Sequence, residues 1–233
     1  MIAGLQKMTL LDYPGRVACT VFLQGCNYRC PFCHNSSLLG GTEDQPISES
    51  ELLTFLEKRR GLLDAVCVSG GEPTLAPELP ELLRKIRAMG YLIKLDTNGS
   101  RPDVLRALVR EGLIDYVAMD VKNSPERYAE TTGCASVDLA AVEESLRFLM
   151  AGHVAHEFRT TVVDELHDVV SIEAMGRWLK RLNNDKSIKK LFIQPFADRE
   201  SVYVCGLHTP DENTMAQFVE IMGAFSELVS IRG

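Results

Sequence analysis

Apolar residues along this chain recur with two alternating periods. Short runs rich in β-branched and other apolar residues read as strands: VACTVFL (17–23), DAVCVSG (64–70), YLIKLDT (91–97), IDYVAMDVK (114–122), HEFRTTVV (156–163) and KLFIQPF (190–196). Between them the spacing shifts to the three-and-four rhythm of amphipathic helices, near 48–60, 77–89, 102–111, 137–151, 171–183 and 211–229. Two helix starts carry their own signals. Ser48 with Glu51 three places on forms an S-x-x-E capping box, and Pro102 after Arg101 suits a first turn, where the missing amide proton costs nothing. Strand and helix alternating at this interval call for crossover connections and a parallel sheet. Six such units predict an α/β fold, a partial (β/α)6 barrel of TIM type with parallel strands, open on one side and too short to close eightfold. No repeat, low-complexity tract or linker interrupts the rhythm, so the expectation is a single domain over residues 1–233.

Composition narrows the setting. With 233 residues, 45% of them apolar, the chain can bury a sizeable core without staples. Its cysteines are odd in number, seven, and four of them (Cys19, Cys67, Cys134, Cys205) stand singly, unlike a disulfide framework. A reducing cytoplasm is the predicted compartment. Cys19 and Cys67 fall inside strand patterns and read as small apolar filler. The start, MIAGLQKMTLLDYPGR, has neither a long apolar core nor a small-residue cleavage site, and no run approaches 18 apolar residues, so no membrane association is expected. A net charge of −7 disfavours a phosphate-tracking surface and hence nucleic acid. Lys58-Arg59-Arg60 reads as a helix end. His153, His156, His167 and His208 show no ligand spacing and read as surface or hydrogen-bonded residues.

Polar residues collect at the carboxyl ends of the predicted strands: Ser69-Gly70-Gly71-Glu72, Asp96-Thr97-Asn98-Gly99, Asp120-Val121-Lys122, Arg159-Thr160-Thr161 and Gln194. Parallel β/α folds bind ligands at that edge, so five loops point to one site. The stretch GCNYRCPFCHN (25–35) adds three cysteines, Cys26, Cys30 and Cys33, spaced by four and three. Thiolates select zinc, copper(I) or iron-sulfur clusters. Zinc generally comes with paired C-x-x-C hooks and a fourth ligand, for which the only local candidate is His34, adjacent to Cys33. A 4Fe-4S cube held by three cysteines would instead leave one iron open to another ligand.

The C-x3-C-x2-C motif of Cys26, Cys30 and Cys33 resembles the signature of the radical S-adenosylmethionine superfamily. The resemblance implies a 4Fe-4S cluster on those cysteines, its open iron chelated by the amino and carboxylate groups of S-adenosylmethionine. Gly70-Gly71-Glu72-Pro73 matches the superfamily's G-G-E-P segment, which contacts the methionine amino group. Two glycines also permit close backbone approach to a ligand. Asp96-Thr97-Asn98-Gly99 and Asp120-Val121-Lys122 look like the D-T-N-G and D-x-K segments of the glycyl-radical activating branch, and Arg159 resembles an arginine on its fifth strand. The resemblance thus places Gly70, Gly71, Glu72, Asp96, Asn98, Asp120, Lys122 and Arg159 around the cofactor, with a monovalent cation near Asp96 and Asp120.

The implied chemistry is one-electron cleavage of the cofactor to methionine and a 5′-deoxyadenosyl radical that abstracts a hydrogen atom. Hydrogen abstraction requires no side-chain acid or base, and no catalytic dyad is evident. The run from Thr9 to Arg16 into VFLQGCN is most similar to activating proteins of anaerobic ribonucleoside-triphosphate reductase. That implies a glycine Cα hydrogen on a large partner enzyme as substrate and a flavodoxin or ferredoxin-type electron donor. Two alternatives stay open: a radical enzyme acting on a small molecule, like the short deazapurine-forming members, and a non-catalytic iron-sulfur or zinc-binding module. Cys134 and Cys205 have no assigned role.

Overall fold

The structure, a computed structural model, describes residues 1–39, 46–198 and 202–232. In chain order its elements are β1 (Ile2–Thr9), β2 (Ala18–Leu23), α1 (Glu49–Lys58), β3 (Ala65–Gly70), α2 (Leu79–Ala88), β4 (Leu92–Thr97), α3 (Pro102–Arg110), β5 (Tyr116–Asp120), α4 (Tyr128–Thr132), α5 (Leu139–Met150), β6 (Ala155–Val162), α6 (Val169–Leu182), β7 (Leu191–Pro195), α7 (Glu212–Gly223) and β8 (Val229–Ile231). Strand order follows chain order, from β1 at one end to β8 at the other, so the sheet is open. The chain forms two compact units. The first comprises Met1–Asn27, Ser37–Thr97 and Arg101–Ala118, and the second Tyr28–Ser36, Asn98–Ser100 and Met119–Gly233.

In the first unit β2, β3 and β4 run parallel, as their apolar runs predict, and β1 pairs antiparallel with β2. Register places Ala18 beside Ala65 and Ala65 beside Leu92, and two residues on it aligns Thr20, Cys67 and Lys94. Side chains two apart share a face. The Ala18, Ala65 and Leu92 row packs with Tyr13, Cys67 and Tyr116 in one apolar cluster, and polar Thr20 and Lys94 lie further along the same face. The opposite face presents Cys19, Val21, Val66, Val68, Ile93 and Leu95, all fully buried. The helices contribute buried Leu52 and Leu56 from α1, Leu79, Leu82, Leu83 and Ile86 from α2, and Leu105 and Leu108 from α3. The predicted capping box is present: Glu51 N–H donates to Ser48 Oγ and Ser48 N–H to Glu51 Oε2. Pro102 occupies the first turn of α3.

In the second unit β6, β7 and β8 run parallel, with Phe158 beside Leu191 and Leu191 beside Val229. Helix α6 starts at Val169 rather than at 171, because Asp168 caps it. Asp168 Oδ1 accepts from Ser171 N–H and Ser171 Oγ from Asp168 N–H. Gly176 lets α6 approach Phe225 closely; a Cβ there would meet the ring at 2.3 Å. The last helix ends at Gly223 and not near 229. Beyond it the Ser226 backbone bridges to Ile188, and the chain enters β8. Arg232 then reaches back to the buried Glu157 carboxylate at 2.6 Å, its guanidinium 3.5 Å from the centroid of Phe192.

Candidate active site

The glycine pair after β3 sits where only glycine fits. Gly70 has φ +123°, and a Cβ on it would lie 2.2 Å from the Leu23 carbonyl. A Cβ on Gly71 would fall 2.0 Å from the Gly25 carbonyl oxygen and 3.2 Å from the Cys26 Cβ. Backbone hydrogen bonds close the gap, Gly71 N–H to Leu23 O at 2.9 Å and Glu72 N–H to Gly25 O at 2.8 Å. The Gly70-Gly71-Glu72 loop is therefore pressed onto the start of the cysteine segment. Sequence matching placed these two motifs near a common ligand, and in the first unit their backbones touch.

Glu72 is 1% exposed, and its Oε1 accepts three hydrogen bonds, from Thr74 N–H (3.1 Å), Thr74 Oγ1 (2.5 Å) and Thr97 Oγ1 (2.8 Å). It caps the short 3-10 turn Pro73–Leu75 and ties it to the end of β4. Asp96, one residue before Thr97, forms an ion pair with Lys94, whose side chain is 1% exposed. Lys94 lies on one row with Thr20 and Cys67, and Thr20 Oγ1 in turn donates to Asp12. None of these partners was anticipated, although a lysine in the middle of the apolar run YLIKLDT is a legible warning: buried ammonium groups need a counter-charge.

The second unit holds Cys30 and Cys33. The segment from Tyr28 to Ser36 is stapled by Arg29 N–H to Thr132 O (2.8 Å), Val204 N–H to Pro31 O (2.9 Å) and Cys33 N–H to Cys30 O (3.1 Å). Gly133, in the left-handed region at φ +63°, lets the end of α4 meet Arg29, since a Cβ would stand 2.2 Å from its carbonyl oxygen. His34 turns to the Ala197 carbonyl at 2.7 Å and stacks on Phe196, so its ring is engaged away from its neighbour Cys33.

Asp120, Lys122 and Arg159 form one constellation. Asp120 receives Lys122 Nζ at 3.0 Å on Oδ2 and Arg159 Nε at 3.0 Å on Oδ1. Arg159 is not at the carboxyl end of its strand, as its sequence position suggested, but inside β6, and it reaches Asp120 sideways. Burial pushes the Asp120 carboxyl up, but Lys122 and Arg159 outweigh it and hold the group below the usual carboxylate range. Burial works against the Lys122 ammonium, and the charges of Asp120 and Cys30 overcome it, so the lysine stays protonated. Lys122 Nζ lies 6.0 Å from the centroid of Phe32, the residue between Pro31 and Cys33. Its backbone carbonyl accepts from the buried His167, and the fully buried Tyr128 lies within electrostatic reach of both Lys122 and Cys30. His167 and Tyr128 carry no motif and were missed as supports of the site. Asn98 is buried, its Oδ1 accepting from Ser100 N–H at 2.9 Å in an Asx turn, and Ser145 Oγ holds the following Gly99 carbonyl at 2.7 Å.

The donor set suits an iron-sulfur cluster. None of Cys26, Cys30 and Cys33 is in a disulfide, and Cys30 lies within electrostatic reach of the Lys122 ammonium. Among the described residues, no three His, Cys, Asp or Glu side chains gather as around one metal ion, whereas a cube of four irons holds its thiolates on separate corners. Each aspartate expected to share a monovalent cation already faces a cationic side chain, Lys94 at Asp96 and Lys122 with Arg159 at Asp120. Cys19 and Cys67 are fully buried, and burial drives the Cys19 thiol up to about 12, so both stay protonated filler, as expected.

An open α/β sheet with a three-thiolate loop and a double-glycine loop against it defines a class, and the family profile of the Radical SAM superfamily matches residues 20–169. The chain belongs to that superfamily, whose enzymes use a 4Fe-4S cluster and S-adenosylmethionine. Over its whole length it is 32% identical to a protein of Methanocaldococcus jannaschii assigned as a glycyl-radical enzyme activating enzyme, covering 95% of that relative. It is also 26% identical to the pyruvate formate-lyase-activating enzyme of Clostridium pasteurianum, over 84% of this chain and 81% of the other. Among solved structures, a domain of pyruvate-formate lyase-activating enzyme from Bacteroides vulgatus shares the fold, with a TM-score of 0.58 at 21% identity over 72% of this chain and 99% of that one.

Proposed function

We propose that this chain is a glycyl-radical enzyme activating enzyme, and that the enzyme it activates is an anaerobic ribonucleoside-triphosphate reductase. The observation that carries the first part is the end-to-end similarity to the Methanocaldococcus jannaschii relative, which leaves no large segment of either chain unmatched. The narrower partner rests on the likeness of the Thr9–Arg16 approach to the cysteine loop. Residues 1–233 act as one catalytic domain in this reading, in the cytoplasm, with a flavodoxin or ferredoxin-type protein as electron donor.

Cys26, Cys30 and Cys33 hold the cluster. Gly70, Gly71, Glu72, Asp96, Asn98, Asp120, Lys122 and Arg159 bind and orient S-adenosylmethionine. When bound, the two cofactors together supply one-electron cleavage of a sulfonium carbon-sulfur bond and the resulting hydrogen abstraction. The protein's own work is placement. The absence of side chains on Gly70 and Gly71 lets the loop after β3 close onto the Cys26 segment. Thr74 and Thr97 lock the Glu72 carboxylate, which fixes the turn at the end of β3. Lys122 and Arg159 both donate to the Asp120 carboxylate, and cationic donors of this kind suit the carboxylate of an amino-acid cofactor. Orientation of this kind lowers the barrier without proton transfer by any side chain.

The test is anaerobic. The iron-loaded protein, reduced with dithionite, should release 5′-deoxyadenosine from S-adenosylmethionine, and with the anaerobic ribonucleotide reductase of the same host it should raise a glycyl-radical doublet in electron paramagnetic resonance. Cleavage without a doublet on any glycyl-radical enzyme of the host, but driven by a free metabolite, would replace this reading with a small-molecule radical enzyme. No cleavage at all would leave a non-catalytic cluster protein.

A further inference from the structure

The second unit has a cavity that the cofactor chemistry does not use. It encloses about 780 Å³ and is walled by the carboxyl ends of α5 and α6, the loop that follows α6, and Glu227. His156 marks its place in the fold: this residue is second in β6, whereas Arg159 and Thr161 follow toward the other end of the strand. Lys189 likewise precedes β7. The cavity thus lies at the amino edge of the strands, and the Asp120, Lys122 and Arg159 constellation belongs to the other.

Its charge is one-sided. Arg147, Arg181, Lys186 and Lys189 line it with His156, against a single acid, Glu227, in a chain whose net charge is −7. Arg147 is paired with Glu143 at 2.9 Å. The other three cations have no ion-pair partner among the described residues. Helix ends account for part of the excess, since Arg147 and Arg181 lie in the last turns of α5 and α6 and complement their dipoles. They do not account for Lys186 and Lys189 on the same wall. The loop bearing Lys186 is shaped in advance. Asn184 and Asp185 adopt left-handed backbone at φ 54° and 60°, and Asn183 Nδ2 holds the Lys186 and Ser187 carbonyls at 3.2 and 2.9 Å. Buried Leu182 and Ile188 give the cavity an apolar floor. Burial lowers the His156 pKa, and Lys189 and Lys190 lower it further, so the ring stays neutral, its Nδ1–H donating to the Val154 carbonyl at 3.1 Å, and adds no further charge to the wall.

We propose that this cavity is a binding site for a polyphosphorylated small molecule of nucleotide size. The volume falls in the range of small-ligand pockets. Two guanidiniums and two ammoniums offer more donors than one carboxylate can accept, while a di- or triphosphate presents enough oxygens for all four, and guanidiniums pair with phosphate two bonds at a time. The apolar floor and the Asn183 and Asn184 amides give room and hydrogen-bonding edges for a non-phosphate portion.

Calorimetric titration of the full chain with tripolyphosphate, and separately with ATP, tests the site. The expected result is saturable one-to-one binding at physiological salt that weakens tenfold or more in Arg181→Gln/Lys189→Gln, and similarly in Lys186→Gln/Lys189→Gln, both folded by circular dichroism. A control variant, Lys58→Gln/Arg60→Gln, should bind as the parent does. Tighter binding of ATP than of tripolyphosphate would assign the nucleotide as the occupant, and equal binding a simple polyphosphate. Absence of saturation, or an equal loss in the control variant, would overturn the site. Because the cluster plays no part in the readout, failure here is distinct from failure of the radical chemistry.

Discussion

His167 is 2% exposed, and both its ring nitrogens are committed: Nδ1 accepts from Val163 N–H at 3.1 Å, which leaves Nε2–H to donate to the Lys122 carbonyl at 2.9 Å. A proton on Nδ1 would oppose the Val163 amide. Burial depresses its pKa from 6.5 to about 4. The unfolded chain therefore takes up this proton near 6.5 while the folded chain resists until about 4. Stability is full above 6.5 and falls as pH drops between these values, by on the order of 3 kcal/mol. Urea unfolding midpoints measured from pH 7 to 4 should decline accordingly, and His167→Gln should flatten that slope. At Gly71 the constraint is steric. Gly71→Ala must push the Gly25 carbonyl aside from a 2.0 Å approach, at a cost of about 1–3 kcal/mol. The displaced Cys26 loop should show as lower iron content per chain after reconstitution, at unchanged helical circular dichroism.

Among the elements, β8 is the shortest strand, and its neighbourhood depends on one ion pair. Glu157 is fully buried and Arg232 about one-third exposed, at 2.6 Å. Removing one partner of such a pair is costly because the other charge stays buried. Arg232→Met should destabilise by about 3 kcal/mol, and the double variant with Glu157→Gln should lose less than the sum of the two single changes, as read by chemical denaturation. Elements also separate what was legible beforehand from what was not. The six strands and six helices follow from long apolar runs and amphipathic spacing, and each appears within a few residues of its expected span, the end of α7 excepted. Strand β1, IAGLQKMT, was missed: its Gln6, Lys7 and Met8 are all exposed, and an edge strand of this kind shows no continuous apolar run. β8 and α4, three and five residues long, are shorter than any periodic signal. The candidate site residues are picked out by motifs in the sequence, but the residues packed around them are not. Lys94 is brought to Asp96 in the first unit by strand register, and Tyr128 and His167 to Lys122 in the second by packing, neither of which a linear pattern records.

For the molecule as a whole, most of the core lies away from the cysteine loop, in the packed strands and helices of each unit. Loss of the cluster should accordingly leave the fold standing. In Cys30→Ala the visible iron-sulfur absorption should vanish, while far-ultraviolet circular dichroism and cooperative unfolding persist; collapse of both signals together would mean that the metal is a folding element. Among the described residues no helix is long and apolar enough to cross a membrane.

The succession of strands in the sheet also bears on how the chain is made. Every strand from β2 onward lies beside the one translated just before it. A ribosome delivers about 5–20 residues per second, so each emerging strand finds its neighbour already out of the exit tunnel. Assembly can then proceed from the amino terminus without waiting for release. A stall just after β4 would leave that strand's outer edge bare on the nascent chain, the stage at which a chaperone or an errant strand from a neighbouring polysome has most to bind.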